Sequence, residues 1–320
     1  MLQHMKLGTK LMLGFSLVAM ITLVLGVIGY YGAVKGEKSV QEIGAVRLPG
    51  IDSLLDIEGE AQAIRGTLRT LMIPGLPKEV RERQRGNLAK SGNAYEAAWK
   101  IYEPLPQTPE EAMVWKDFVP AWDAWRAENN KFMETMEQWE KLGMSDPMAL
   151  GRTVESLTKD HYRLLERILT LMNMNKTFDG GEDHTACNAG KWMASFKSDN
   201  PALMAEIKTM QDPHKRFHEA VKKIKEAHDK GSGGETDIYT REMVPAMQEV
   251  FRSFEGIIRI IDEAIVLSEQ ARDQLLGPVT VKMRTAQELL GKVVEINQTV
   301  AAEEVKVAHA QGVFLMAFSA

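Results

Sequence analysis

Apolar residues recur every three or four positions through most of the chain, with no sustained alternation of period two, so the pattern predicts helices and no strands. After an uncharged run over 11–34, a helix is predicted over 35–72. It carries Val40, Ile43, Leu54, Ile57, Ala61, Ile64, Leu68 and Leu71 on one register, and Pro74-Gly75 stops it. A second helix covers 78–102, and Pro104, Pro106 and Pro109 make a rigid turn. The third, over 110–142, has the strongest stripe: Trp115, Phe118, Trp122, Trp125, Phe132, Met136 and Trp139, with Asn129 in the same seam. Aromatics at this spacing form the core of a helical bundle. Gly143 to Pro147 closes that helix, and a fourth runs over 146–176. A loop at 178–181 leads to a short helix from Thr185, and Asn200-Pro201 and Asp212-Pro213 each mark a helix start. Beyond a flexible break at 230–235, a long helix is predicted from Glu242, with Phe254, Ile257, Ile261, Ala264 and Ala271 in register. Gly277-Pro278 interrupts it, and Ala286, Leu289, Val293, Ile296, Val300 and Val307 continue on a new register.

The run over 11–34 changes this picture from a soluble bundle to an anchored one. About 20 apolar residues cross a bilayer, and this run suffices. It is longer than the apolar region of a cleaved signal peptide, and no A-x-A-like site follows. Lys6 and Lys10 place residues 1–10, His4 included, in the cytoplasm, so the following chain is expected outside it. Residues 312–320, GVFLMAFSA, are uncharged, and 313–320 read as the start of a second, truncated transmembrane helix. Helices over 35–72 and 278–311 then leave and return to the membrane as the first and fourth members of a bundle, with residues 147–276 inserted at its distal end. A net charge of −5 over 320 residues gives no basic surface for nucleic acid.

The candidate chemistry centres on Cys187, the single cysteine, which is open to packing, thiol chemistry or metal ligation. His214 and His218 lie four apart on one helical face, and His161 sits mid-helix in the fourth helix. Three imidazoles and one thiolate satisfy tetrahedral Zn²⁺. Spacing alone leaves the blander reading open, because a histidine pair at i,i+4 is commonly solvated and a buried free cysteine is commonly a small hydrophobe. Four protein ligands would close the coordination sphere, leaving no position for a reactive water. With no nucleophile, base and orienter in sight, no catalytic residue is assigned and no enzyme is expected. His184, three residues before Cys187, reads as a cap or a neighbour of the site, and His228 and His309 as solvated. Arg65 and Arg69 lie four apart on the first helix and could hold a small carboxylate, or form a solvated face bridging to Glu58 or Glu60.

Two resemblances sharpen these readings. His161, then Cys187-Asn-Ala-Gly190-Lys-Trp192, then His214-x-x-x-His218 resemble the chemoreceptor zinc-binding domain family over about 155–230, with Ala189 standing where that family carries a larger apolar residue. The resemblance implies Zn²⁺ held by His161, Cys187, His214 and His218. Trp192 would pack near Cys187, Gly190 would allow close approach, and Asp160 and Asp183 are candidates to orient the imidazoles. The strings KLGTKLMLGFSLV, GYYG and VRLPGIDSLLDIEGEAQAIRGTLRTL resemble the opening of methyl-accepting chemotaxis receptors with four-helix-bundle sensors, over about 6–142.

Together these imply an all-α, membrane-anchored antiparallel four-helix bundle with an inserted helical zinc-binding bundle. Its parts are a cytoplasmic N-terminus (1–10), a transmembrane helix (11–34), three sensor helices (35–146), the zinc-binding insertion (147–276), the last sensor helix (277–312) and a second membrane segment (313–320). The implied protein is a two-pass, homodimeric inner-membrane receptor with a periplasmic sensor for zinc, an oxidant or a small molecule. It would signal to downstream proteins through a further cytoplasmic domain. A histidine kinase or diguanylate cyclase output, or a zinc-stabilised structural protein, is the alternative.

Overall fold

A computed structural model of the chain describes residues 6–319; His4 and the rest of 1–5, and Ala320, lie outside the described residues. Ten α-helices follow in order: α1 (Leu7–Gln41), α2 (Leu48–Leu71), α3 (Lys78–Tyr102), α4 (Pro109–Lys141), α5 (Pro147–Met174), α6 (Asn188–Ser195), α7 (Pro201–Asp229), α8 (Glu235–Ile238), α9 (Val244–Gln274) and α10 (Thr280–Ser319). Short π turns at Glu42–Arg47, Tyr239–Met243 and Leu275–Val279 join α1 to α2, α8 to α9 and α9 to α10 without a break. The chain forms two compact units. One comprises residues up to Thr70, Glu82–Arg126 and the chain from Thr280; the other comprises Leu71–Arg81 and Ala127–Val279.

The first unit is built on the expected stripes, with two shifts of register. Leu54, Ile57, Ala61, Ile64 and Leu68 are buried, but Val40 is 67% exposed. The π turn at 42–47 inserts one extra residue, which rotates the preceding helix by about 100° and breaks the register between residues 40 and 54. The inward positions on that side become Gly32, Ser39, Arg47 and Gly50. On α10 the buried line runs Met283, Ala286, Leu290, Val293 and Asn297, with Leu289, Ile296 and Val300 half-buried at its edge and Val307 exposed. In the core, Tyr95, Trp99, Tyr102, Trp115, Phe118, Trp122 and Trp125 form a continuous aromatic cluster with neighbouring centroids between 4.4 and 6.0 Å apart.

The second unit contains the candidate site. α9 packs against both α7 and α5, and Ile168, Leu171, Phe217, Val221, Ile224, Met243 and Ala246 form one buried core. Helix starts follow local chemistry. Asp146 accepts from the Ala149 amide at 2.9 Å ahead of Pro147, and Asn200 accepts from the Leu203 amide at 2.9 Å ahead of Pro201. The Asn200 side chain also donates to the Leu142 carbonyl at 2.9 Å, tying the α4–α5 turn to the start of α7.

Three sequence expectations fail here. Asp212-Pro213 does not start a helix, since Pro213 lies inside α7 and is buried. The long helix begins at Glu235 rather than near Glu242, and Gly277-Pro278 does not interrupt it, because the π turn at Leu275–Val279 accommodates the proline. A proline costs one hydrogen bond and a local clash. Burial of Leu203, Ile207, Met210, His214 and Phe217 on one continuous face of α7 outweighs that cost.

Candidate metal centre

Four side chains from two helices and one helix cap converge within the second unit. α5 supplies His161, α7 supplies His214 and His218 from adjacent turns, and Cys187 is the N-cap of α6. One nitrogen from each histidine and the cysteine sulfur all lie within 4.8 Å of one another. His214 Nε2 is central, 3.2 Å from both Cys187 Sγ and His218 Nε2. Zn–N and Zn–S bonds of roughly 2.0 and 2.3 Å give a tetrahedron with edges of roughly 3.3 to 3.5 Å, close to this spacing.

Backbone carbonyls fix two of the three imidazoles. His161 Nδ1–H donates to the Leu157 carbonyl at 2.7 Å and His218 Nδ1–H to the Gly181 carbonyl at 2.7 Å, which leaves each Nε2 with a free lone pair. His161 Nε2 is buried with no hydrogen-bond partner among the described residues. A buried, unpartnered acceptor facing a thiol and two further imidazoles is costly as a purely structural arrangement and fits a cation. Burial holds all three imidazoles below their ordinary value, His214 at about 3 and His218 at about 4, so the rings stay neutral, the form that ligates metal. Burial pushes the Cys187 thiol up, against the Gly190 and Ala189 amides, which pull it down. A bound divalent cation would supply the positive charge that selects the thiolate.

The loop between α5 and α6 places Cys187. Gly181 has φ +96°, and a Cβ there would lie 2.7 Å from Leu164 Cδ1, so its carbonyl can face His218 only because the residue is glycine. Lys225 grips the same loop through the Gly180 carbonyl, the Glu182 carboxylate and the face of Phe178. At the start of α6, the Gly190 amide donates to Cys187 Sγ at 3.2 Å, and the sulfur contacts the His184 carbonyl at 3.4 Å. That carbonyl lies directly against Gly190, where any Cβ would overlap it.

All four sequence-nominated metal residues come together. His184 contributes its carbonyl, and its ring centroid stands 6.2 Å from that of His214, outside the cluster. Asp160 and Asp183 do not orient the imidazoles: Asp160 accepts from Asn188 Nδ2 at 2.8 Å, and Asp183 holds Thr185. Leu157 and Gly181 do that work through their backbones, which no side-chain pattern could reveal. Trp192 packs on Phe196 in a tilted arrangement, with ring centroids 4.8 Å apart. His228 is not simply solvated, since its Nε2 meets Asn175 Oδ1 at 2.5 Å at the end of α5. Arg65 donates to Gln62 at 3.2 Å, and Arg69 is exposed.

Comparison with known families agrees with this geometry. A four helix bundle sensory module for signal transduction matches residues 4–176, and a chemoreceptor zinc-binding domain matches residues 161–225, a span that holds all four clustered residues. Both are sensory rather than catalytic modules, and the donor set supports zinc as the cofactor. No match was found among curated proteins or among solved structures. With more than half of its length matched, the chain belongs to the family of four-helix-bundle sensory modules for signal transduction and carries a chemoreceptor zinc-binding domain within it.

Proposed function

We propose that the chain is the sensory region of a two-pass inner-membrane chemotaxis receptor, with Zn²⁺ held by His161, Cys187, His214 and His218. The observation that carries this reading is the convergence of three neutral imidazoles and one thiol within 4.8 Å, inside a chain of sensory-module type. All four coordination positions come from the protein, so the site suits sensing or structure rather than hydrolysis. Zinc availability, or oxidation of the metal-bound thiolate, would alter packing among α5, α6, α7 and α9. The unbroken passage from α9 through the π turn into α10 would carry the change towards the membrane. The zinc-binding part corresponds to the insertion over 147–276, and the reading includes a parallel homodimer through the first helix, supported by its apolar stripe.

A sensor must respond to zinc while folded, whereas a zinc-stabilised structural protein responds by folding. Titrating the metal-free protein with zinc should change intrinsic tryptophan fluorescence at constant helical circular dichroism. A large gain of helix that coincides with binding would favour the structural alternative.

The membrane arrangement rests on two observations. The helix running Leu7–Leu71 is the one described helix long and apolar enough to cross a bilayer, and its apolar window is entirely uncovered, unlike a core helix. The uncharged end of α10 lies beside the last residues of the same apolar run. Leu315 packs so closely on Gly32 that a Cβ there would meet it at 2.6 Å, and Phe314 lies beside Val27, Ile28 and Tyr31. These contacts support reading residues 313–320 as part of a second membrane segment. Reporter fusions at Gly143 should be active only as periplasmic reporters; activity of a cytoplasmic reporter there would overturn the topology.

A further inference from the structure

The first unit has a buried polar cluster that metal binding does not use. Arg47, 3% exposed, donates from Nη1 to Glu111 Oε2 at 2.7 Å and to Asn297 Oδ1 at 2.9 Å, and from Nε to Glu42 at 2.7 Å. Glu111, 1% exposed, also accepts from Tyr102 Oη at 2.6 Å and from Asn297 Nδ2 at 2.7 Å. Glu111 and Thr108 exchange bonds at 3.2 Å as a capping box at the start of α4. Six residues therefore join the π turn after α1, the end of α3, the start of α4 and the middle of α10.

Arg47 and Asn297 sit where apolar residues would pack. Asn297 continues the buried line of Leu290 and Val293 on α10, and Arg47 occupies the inward position created by the extra residue of the π turn. Burial alone would push the Glu111 carboxyl up, but the bonds from Tyr102, Asn297 and Arg47 hold it below the ordinary carboxylate range, so the ion pair persists. Buried polar groups of this kind are best attested as devices that select one register among apolar alternatives.

We propose that the Arg47–Glu111–Asn297 cluster is a register lock that holds α10 at one axial and rotational setting against α1. A one-residue change of register, about 1.5 Å of slide with about 100° of rotation, turns Asn297 off the buried line and away from both partners. The Arg47–Glu111 pair survives that slide, so α10 can leave the lock without stranding a buried charge. Displacement of α10 is thus a choice between two discrete settings rather than a continuous drift. The neighbouring contact between Ser39 Oγ and Glu304 Oε2, at 2.7 Å, marks the locked setting on the same pair of helices. The lock is independent of the metal reading.

Disulfide formation in the full chain tests it. Ser39→Cys is paired in turn with Glu304→Cys, Val300→Cys and Ala308→Cys, and the products are identified by peptide mass, which separates them from disulfides of Cys187. In the parent, the 39–304 pair should form about tenfold faster than its neighbours one turn away. Asn297→Leu should reduce that preference to about threefold or less, since two hydrogen bonds to charged groups are lost. Circular dichroism checks that the variant is folded, and if it is not, Asn297→Ser is judged by the same criterion. A preference that stays near tenfold in the folded variant overturns the lock, as does a parent with no preference.

Discussion

Replacing His214 by alanine should abolish high-affinity zinc binding while leaving a folded helical protein. A structural zinc site contributes about 10–16 kcal/mol at neutral pH, so one of four ligands accounts for about 3 kcal/mol, or about a hundredfold in Kd. His214 is the most demanding choice because its Nε2 is 3.2 Å from both Cys187 Sγ and His218 Nε2, and the cluster has no centre without it. Competition with a chromophoric chelator measures the loss directly. The zinc-induced rise in Tm should vanish with it, because a ligand that no longer binds the native state no longer stabilises it. His184→Ala serves as the control. That ring stands outside the cluster, so its zinc affinity should stay within about twofold of the parent, below the roughly 0.5 kcal/mol typical of substitutions away from key contacts. An unchanged Kd for His214→Ala would remove the site.

Gly190→Ala should be nearly as damaging although it adds one methyl group. The added Cβ would overlap the His184 carbonyl oxygen, so either the loop before α6 or the first turn of α6 must move. Both hold Cys187: the Gly190 amide donates to its sulfur at 3.2 Å, and the His184 carbonyl faces the sulfur at 3.4 Å. Overpacking of this kind costs about 1–3 kcal/mol, which predicts a drop in Tm of several degrees. Displacement of the thiolate should weaken zinc binding by about tenfold or more as well. Gly92→Ala is the contrasting substitution, on α3 with nothing within 4 Å of the added Cβ. There alanine should stabilise the protein by about 0.5–1 kcal/mol through its better helix propensity. Equal behaviour of the two variants in calorimetry and in zinc titration would contradict the role assigned to Gly190.

Much of this molecule is determined locally and could be read from its sequence. Apolar spacing specifies helices, and capping pairs such as Asp146-Pro147 and Asn200-Pro201 specify where two of them begin, because both act within a few residues. The aromatic stripe of α4 is buried as its period requires. The four clustered residues are also legible, since a single cysteine and a histidine pair at i,i+4 within a family pattern leave few alternatives. What the sequence could not decide depends on partners distant in the chain. Pro213 and Pro278 look like helix ends, yet both lie inside helical segments, because burial of long faces outweighs one lost hydrogen bond. The π turn at 42–47 shifts the inward face by one residue, exposing Val40 and burying Arg47, a change that only packing against other helices can select. His161 and His218 are oriented by carbonyls of Leu157 and Gly181, and every residue has a carbonyl, so only tertiary structure shows which ones serve. Glu111 and Asn297 lie 64 and 250 positions from Arg47 along the chain, and no local rule could join them.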